Sequence, residues 1–365
     1  MANLITFEPD YIIAPGETIN ELLEHYNMTQ KELASRIELS LKTVNEIVKG
    51  KASISYETAT KLENVFSIEA SFWNNLEKNY QEQLAEVERK KKLEMQIGEL
   101  KKFPIKELQK RKWIPQDKET PENKVDTLLK YFGVSSFEAM YSLITDTKIL
   151  EGAYRITPEL SINEYALICW IRKGEIEASE IITLPFDKRS AMSKLSEIRK
   201  LTTETDPKVF IPKLQEICSS FGVAIVFVPE LKGSRVSGLT RWLTPKPKAI
   251  IQLSVRYKTN DSLWFTLFHE LGHVLLHEKK PFVEFSKYRE DKTEHEADAF
   301  AANILIPPKD YKAFLSRPIS RKSILDFSNE IGIHPGIIVG RLQNEKKIPW
   351  SYMNDLKVRY QWTDD

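Results

Sequence analysis

The chain has 365 residues, of which 41% are hydrophobic, 29% charged and 10% aromatic, and its formal net charge is +1. This length predicts two or three globular domains. The near-zero net charge excludes a chain that binds nucleic acid through its overall charge. With only two cysteines, no long apolar run and no signal-peptide pattern, we expect a cytoplasmic protein that has neither a disulfide framework nor a membrane span.

The first predicted elements are two short helices that are separated by a tight turn. Thr29 and Ser40 are placed to cap their N-termini, Glu32 completes a capping-box spacing, and Gly50 ends the second helix. This pattern predicts a helix-turn-helix that contacts phosphates and base edges of a double-stranded DNA operator. A homodimer would follow, because one such domain reads only a half-site. The residues that we expect to contact DNA are Gln30, Ser40, Lys42, Thr43, Asn45 and Lys49.

The segment from Pro15-Gly16-Glu17 to Phe72-Trp73-Asn74-Asn75-Leu76 resembles the HigA-type antitoxins of the lambda-repressor-like, XRE-family class. One departure is Glu38 at a turn position that often holds glycine, where a positive φ would cost roughly 1 kcal/mol. Residues 1–80 hold 7 Lys/Arg against 12 Asp/Glu. That acidic balance keeps open the alternative of a helical bundle that binds only protein, for instance a toxin. We predict that this domain spans residues 1–84.

Residues 85–184 are predicted to form a helical intermediate region. A charged helix over 85–112 is interrupted near Gly98 and Pro104, and residues 113–121 read as a linker. The basic residues of the charged helix are typical of a solvated face, and a DNA clamp is the alternative.

Two β-rich runs follow, Val223–Val228 and Ala249–Leu253, and they predict a small sheet. The residues that we expect to mark turns between the two runs are Gly233, Ser237, Gly238, Pro245 and Pro247.

The predicted helix Ser262–His277 carries two histidines, His269 and His273, four residues apart and therefore on one face, where their ring nitrogens can hold one Zn²⁺. Glu270 lies beside that position and can accept a proton from water and pass it to a leaving amine. A pattern this short also occurs by chance, so an amphipathic helix with two buried or solvated histidines is the alternative. His277, one turn further on, would lie at the rim or support a ligand.

A third ligand is available on the predicted helix Thr293–Leu305. Glu294 and Asp298 are four residues apart, so Glu294 can bind the metal while Asp298 orients a ligand imidazole. Glu296 is the competing ligand, and helical spacing directs His295 away to the surface. A solvated acidic face is the alternative interpretation of this helix.

These two motifs together resemble the ImmA/IrrE family of metallo-endopeptidases over roughly residues 185–310. The resemblance implies Zn²⁺ held by His269, His273 and Glu294, with Glu270 as the general base, and cleavage of a regulatory protein. The matching residues are His269-Glu270-Leu271-Gly272-His273-Val274-Leu275-Leu276-His277 and Glu294-x-Glu296-Ala297-Asp298-x-Phe300-Ala301-Ala302-x-x-Leu305-Ile306-Pro307.

The predicted fold class is α+β and predominantly helical. It combines a lambda-repressor-like domain with a zincin-like domain, residues 185–310, that has a small sheet and the histidine-bearing helix, followed by a helical extension over residues 311–365.

The leading functional hypothesis is a DNA-binding transcriptional regulator with a zinc-dependent endopeptidase domain, which cleaves a regulatory protein, or the chain itself, to relieve repression. The first alternative is a HigA-like antitoxin and repressor whose peptidase-like domain is a non-catalytic scaffold for a cognate toxin or a signal. The second is a peptidase whose N-terminal domain is only a protein adaptor.

Overall fold

The computed structural model describes residues 13–116, 120–146, 163–243, 248–277, 282–285 and 292–362. The N-terminal helices are α1 (Pro15–His25), α2 (Gln30–Arg36), α3 (Leu41–Val48), α4 (Tyr56–Phe66) and α5 (Ala70–Glu94). They are followed by α6 (Ile105–Lys110), α7 (Pro121–Phe132), α8 (Phe137–Asp146), α9 (Glu164–Ser179), α10 (Lys188–Lys200) and α11 (Pro207–Ser219). Three strands come next, and two helices with a fourth strand between them follow: β1 (Val223–Phe227), β2 (Val236–Leu243), β3 (Lys248–Leu253), α12 (Asn260–Leu276), β4 (Phe282–Phe285) and α13 (Lys292–Leu305). The last helices are α14 (Pro308–Leu315), α15 (Arg321–Ile331) and α16 (Pro335–Asn344).

The chain divides into two compact units. The first comprises residues 1–98 and 119–125, and the second comprises residues 99–118 and 126–365. The predominantly helical α+β class expected from the sequence is confirmed. The finer division at residues 84, 184 and 310 stays a prediction. Within the described ranges, no helix is long and apolar enough to cross a membrane.

The first unit is a helical bundle whose core joins α2 and α3 to their neighbours. Leu33 of α2, Val44 and Ile47 of α3 and Trp73 of α5 are all buried in one apolar cluster. Glu38, in the turn between α2 and α3, has a φ of 55°. The backbone therefore takes the left-handed conformation that favours glycine at this turn position, although the residue is a glutamate.

A four-stranded sheet, in the order β1-β3-β2-β4, forms part of the second unit. Strand β3 pairs parallel with β1 and antiparallel with β2, and β4 pairs antiparallel with β2. The prediction of turns at Ser237 and Gly238 was wrong, because both residues lie inside β2. The predicted turn at Pro245 and Pro247 lies outside the described residues.

Helix α12 runs through the core of the second unit. Its apolar residues pack with β1, β3, α13 and α16 in one continuous cluster, and Trp264, Leu267 and Leu271 are fully buried there. Gly272 lets α13 approach closely, since a Cβ at that position would lie only 3.1 Å from the Cα of Ala297. This close packing places the acidic residues of α13 against the histidines of α12.

Candidate metal centre and DNA-reading helix

His269, His273 and Glu294 form a buried cluster between α12 and α13. The Nε2 atoms of the two histidines are 3.0 Å apart. The Oε2 atom of Glu294 lies 3.2 Å from Nε2 of His269, and its Oε1 atom lies 3.3 Å from Nε2 of His273. All three residues are less than 9% exposed. The helix period of α12 and the position of α13 thus direct three donor atoms to one point.

The second ring nitrogen of each histidine also has a partner. Nδ1 of His269 lies 2.9 Å from Oδ1 of Asp298. Nδ1 of His273 lies 2.9 Å from Nδ1 of His277, whose Nε2 is 3.2 Å from Oε2 of Glu296. His295 is exposed, as its spacing indicated.

The electrostatics favour an ionised Glu294 carboxylate and a neutral His273 imidazole. Burial by itself would raise the pKa of the Glu294 carboxyl, but the hydrogen bonds with His269 and His273 outweigh it and hold the pKa below its usual range. Burial lowers the pKa of His273, and the contact with Glu294 opposes that shift only in part. The cluster therefore offers lone pairs and one negative charge.

This donor set fits Zn²⁺. The three donor atoms lie within 4.8 Å of one another. Catalytic zinc sites take three protein ligands of the nitrogen and oxygen type and keep a further position for water or substrate. A carboxylate behind a ligand histidine, as Asp298 lies behind His269, is a common support in such sites.

Glu270 is held beside the cluster by the strand that the sequence did not predict. The hydroxyl of Thr240 in β2 donates a hydrogen bond to Oε2 of Glu270, and both side chains are fully buried. Gly238 in the same strand leaves room for the carboxylate, because a Cβ there would lie 2.4 Å from Oε1 of Glu270. Sequence reasoning missed both contacts, although the β-branched residues Val236 and Thr240 and the aromatic Trp242 are typical of a strand.

The predicted DNA-reading side chains lie on α2 and α3, on the turn between them, and at Lys49, which caps the C-terminus of α3. Ser40 caps α3 by accepting a hydrogen bond from the backbone N–H of Thr43 at 3.0 Å. The amide of Asn45 lies 3.5 Å from Oε1 of Gln30. Lys42 and Lys49 are exposed. A partly exposed amide pair is thus flanked by two cationic side chains.

Residues 218–332 match the IrrE N-terminal-like domain of peptidase family M78, and residues 19–73 match a helix-turn-helix domain. An uncharacterised HTH-type transcriptional regulator of Escherichia coli K12, YddM, is 33% identical over 75 residues, which are 20% of this chain and 78% of the relative. The chain belongs to the helix-turn-helix transcriptional regulators. It is a DNA-binding regulator that also carries an IrrE-like domain, and the two resemblances stated from the sequence are confirmed.

Two solved structures are similar to this regulator over a small part of it. The Pseudomonas aeruginosa antitoxin HigA, solved with the higBA promoter, is 32% identical, with 23% of this chain and 94% of that chain covered and a TM-score of 0.22. A HigA-family addiction module antidote protein from Coxiella burnetii is also 32% identical, with 23% and 92% covered and a TM-score of 0.22.

Proposed function

We propose that this regulator is a zinc-dependent endopeptidase joined to a homodimeric DNA-reading domain, and that cleavage of a regulatory protein, or of the chain itself, relieves repression. The observation that carries the proposal is the buried cluster of His269, His273 and Glu294 with Glu270 fixed beside it. A histidine-rich helix that served only the core would not need three converging donor atoms and a separate carboxylate held by another strand.

The residues of the chain divide the chemistry between them. His269, His273 and Glu294 would hold Zn²⁺, which supplies Lewis-acid polarisation of a carbonyl and lowers the pKa of water. Glu270 accepts the proton of the attacking water and delivers it to the leaving amine. The Thr240 hydroxyl keeps one oxygen of Glu270 in place during that transfer.

A cavity of about 700 Å³ adjoins this centre and offers a place for substrate side chains. Its wall includes Thr266 of α12, which lies one turn before Glu270, and Asp298, which contacts His269. Phe265 and Ala302 add apolar surface. The cavity volume is in the range of sites that bury a small organic group, and its lining mixes these apolar residues with charged ones such as Asp261, Arg341 and Lys357.

The test of turnover is the Glu270→Gln variant of the full chain. We expect it to bind one Zn²⁺ per chain like the wild type and to lose cleavage, because the amide cannot accept the proton. Glu294→Gln is the matched change at a proposed metal ligand, and we expect this variant to bind Zn²⁺ more weakly. Cleavage products from candidate regulatory proteins and from the chain itself would be identified by mass spectrometry. Cleavage at the wild-type rate by Glu270→Gln would refute the assigned role.

The DNA-reading role has its own test. Asn45→Ala should weaken binding to the operator by about 1–3 kcal/mol and relax sequence preference. Lys49→Ala should weaken binding to all DNA and reduce the salt slope by about 1. Lys78→Ala removes the same charge from an exposed position of α5 and serves as the control. Equal binding by the Lys49 and Lys78 variants would contradict the phosphate contact.

One observation favours the non-catalytic alternative. His269 and Glu270 are both 0% exposed, so a peptide reaches them only if the surrounding residues move. If the wild type binds zinc, and no cleavage product forms while Glu270→Gln represses and derepresses normally in cells, the domain is a sensing or toxin-binding scaffold.

A further inference from the structure

His277 is a half-buried histidine whose position is not explained by the proposed ligands His269, His273 and Glu294. It follows the last turn of α12, and its backbone N–H donates to the carbonyl of His273 at 3.3 Å. Its side chain is 6% exposed. One ring nitrogen faces His273 and the other faces the carboxylate of Glu296 on α13. The ring thus bridges a cluster histidine and an acidic residue.

The positions of the ring protons determine which atom donates in each hydrogen bond of this bridge. A ring nitrogen that binds a metal offers a lone pair, so the proton of the neutral imidazole lies on the other nitrogen. In His273, Nε2 faces His269 and Glu294, and Nδ1 therefore carries the proton and donates to Nδ1 of His277. His277 then carries its own proton on Nε2, which donates to Oε2 of Glu296.

We infer that His277 and Glu296 are positioning residues of the metal centre, which together hold His273 in the tautomer and ring orientation that metal binding needs. The inference rests on the proposed function, because only a metal centre requires Nε2 of His273 to be unprotonated. The two cluster histidines are then supported in two ways. Asp298 contacts His269 directly, whereas Glu296 acts on His273 through the ring of His277.

This arrangement also resolves the competition between Glu294 and Glu296. Both lie near the start of α13, but only Glu294 has its two oxygens on the cluster. Glu296 is 45% exposed at the side chain and pairs with His277, with Lys292 at 3.6 Å on its other side. One helix thus supplies a ligand and, through Glu296 and Asp298, the outer support of both histidines.

The test compares zinc affinities of full-length variants by competition with a chromophoric chelator. His277→Leu fills similar space but removes the acceptor, and we expect its Kd for Zn²⁺ to rise by about 10–100-fold. His277→Asn places an amide oxygen near the position of Nδ1, so it should recover most of that loss. Glu296→Ala should raise the Kd by less than His277→Leu. His295→Leu, an exposed histidine on α13, is the matched control and should bind like the wild type.

A second measurement determines the tautomers of His273 and His277, and it depends on neither peptidase activity nor zinc affinity. The chain has six histidines, so ¹⁵N spectra of the labelled, zinc-loaded chain can be assigned with single variants. We expect His277 to be protonated at Nε2 and unprotonated at Nδ1, and His273 to show the reverse.

The outcomes separate the two proposals. If the wild type binds no zinc, the proposed function fails. If the wild type binds zinc and His277→Leu binds it equally well, or if His277 is protonated at Nδ1, only the positioning role is overturned. Glu296→Ala and the tautomer spectrum remain decisive if His277→Leu does not fold, since the side chain of Glu296 is 45% exposed and its removal leaves no buried void.

Discussion

Replacement of Gly238 by alanine tests the packing of strand β2 against the general-base candidate. A Cβ at this position would lie 2.4 Å from Oε1 of Glu270 and 2.8 Å from Cγ2 of Thr266. Both distances are well below an ordinary contact, and both neighbours are buried. The Glu270 carboxylate must therefore turn away, or β2 must separate from α12.

Each response carries a free-energy cost. Overpacking of a closed core costs about 1–3 kcal/mol, and the hydrogen bond from Thr240 to the Glu270 carboxyl is worth about 0.5–3 kcal/mol, with the upper end for an ionised partner. Since the two effects overlap, we expect the free energy of unfolding of the second unit to fall by about 2–4 kcal/mol. Its Tm should fall by about 4 °C or more.

The assay is urea unfolding of the full chain, followed by tryptophan fluorescence, with zinc affinity measured in parallel. Gly98→Ala is the matched control, because a Cβ there meets nothing within 4 Å. Gly238→Ala should keep its affinity for Zn²⁺ within a few-fold, because the added methyl group would approach Glu270 and Thr266 rather than His269, His273 or Glu294. A free energy of unfolding within about 0.5 kcal/mol of the wild type would refute this account of β2.

Three further changes test other parts of the chain. Glu77→Ala should lower the stability of the first unit by about 1–3 kcal/mol, because the buried N–H of Ile54 loses its 3.0 Å acceptor; an unchanged urea midpoint would contradict this. Glu38→Gly should raise the stability of the first unit by about 0.5–1 kcal/mol, because relief of the left-handed backbone strain exceeds the entropy that glycine adds to the unfolded chain. A lower Tm in calorimetry would contradict this prediction. Zn²⁺ at 100 times its Kd should raise the free energy of unfolding by about 2.7 kcal/mol, and a chelator should reverse this gain. A free energy of unfolding that changes with neither zinc nor chelator would argue against a metal centre.

The parts of the candidate site that lie within one helix followed from the sequence. His269 and His273 share a face because four residues make about one helical turn, and the same period joins Glu294 to Asp298. The caps at Thr29 and Ser40 are equally local, since each hydroxyl accepts the N–H of a residue three positions on. Local geometry needs no knowledge of distant segments, and these features were predictable for that reason.

Contacts between elements were decided by the tertiary structure. Whether Glu294 or Glu296 faces the histidines depends on the rotation of α13 against α12, which the close approach at Gly272 sets. The role of His277 depends on the same rotation, because its partner Glu296 lies on the other helix.

Strand β2 is the clearest example of an element that the local sequence did not predict. Ser237 and Gly238 have the composition of a turn, yet the chain remains in a strand there. Gly238 pairs with β3 on one side and β4 on the other, and Ser237 lies at an irregularity in the β2–β4 register. Pairing between segments far apart in sequence overrides local propensity, as is usual for strands. The sequence by itself therefore determined the two domain types and the helical faces that carry the proposed ligands. The packing of β2 and α13 on α12 determined which side chains complete the centre.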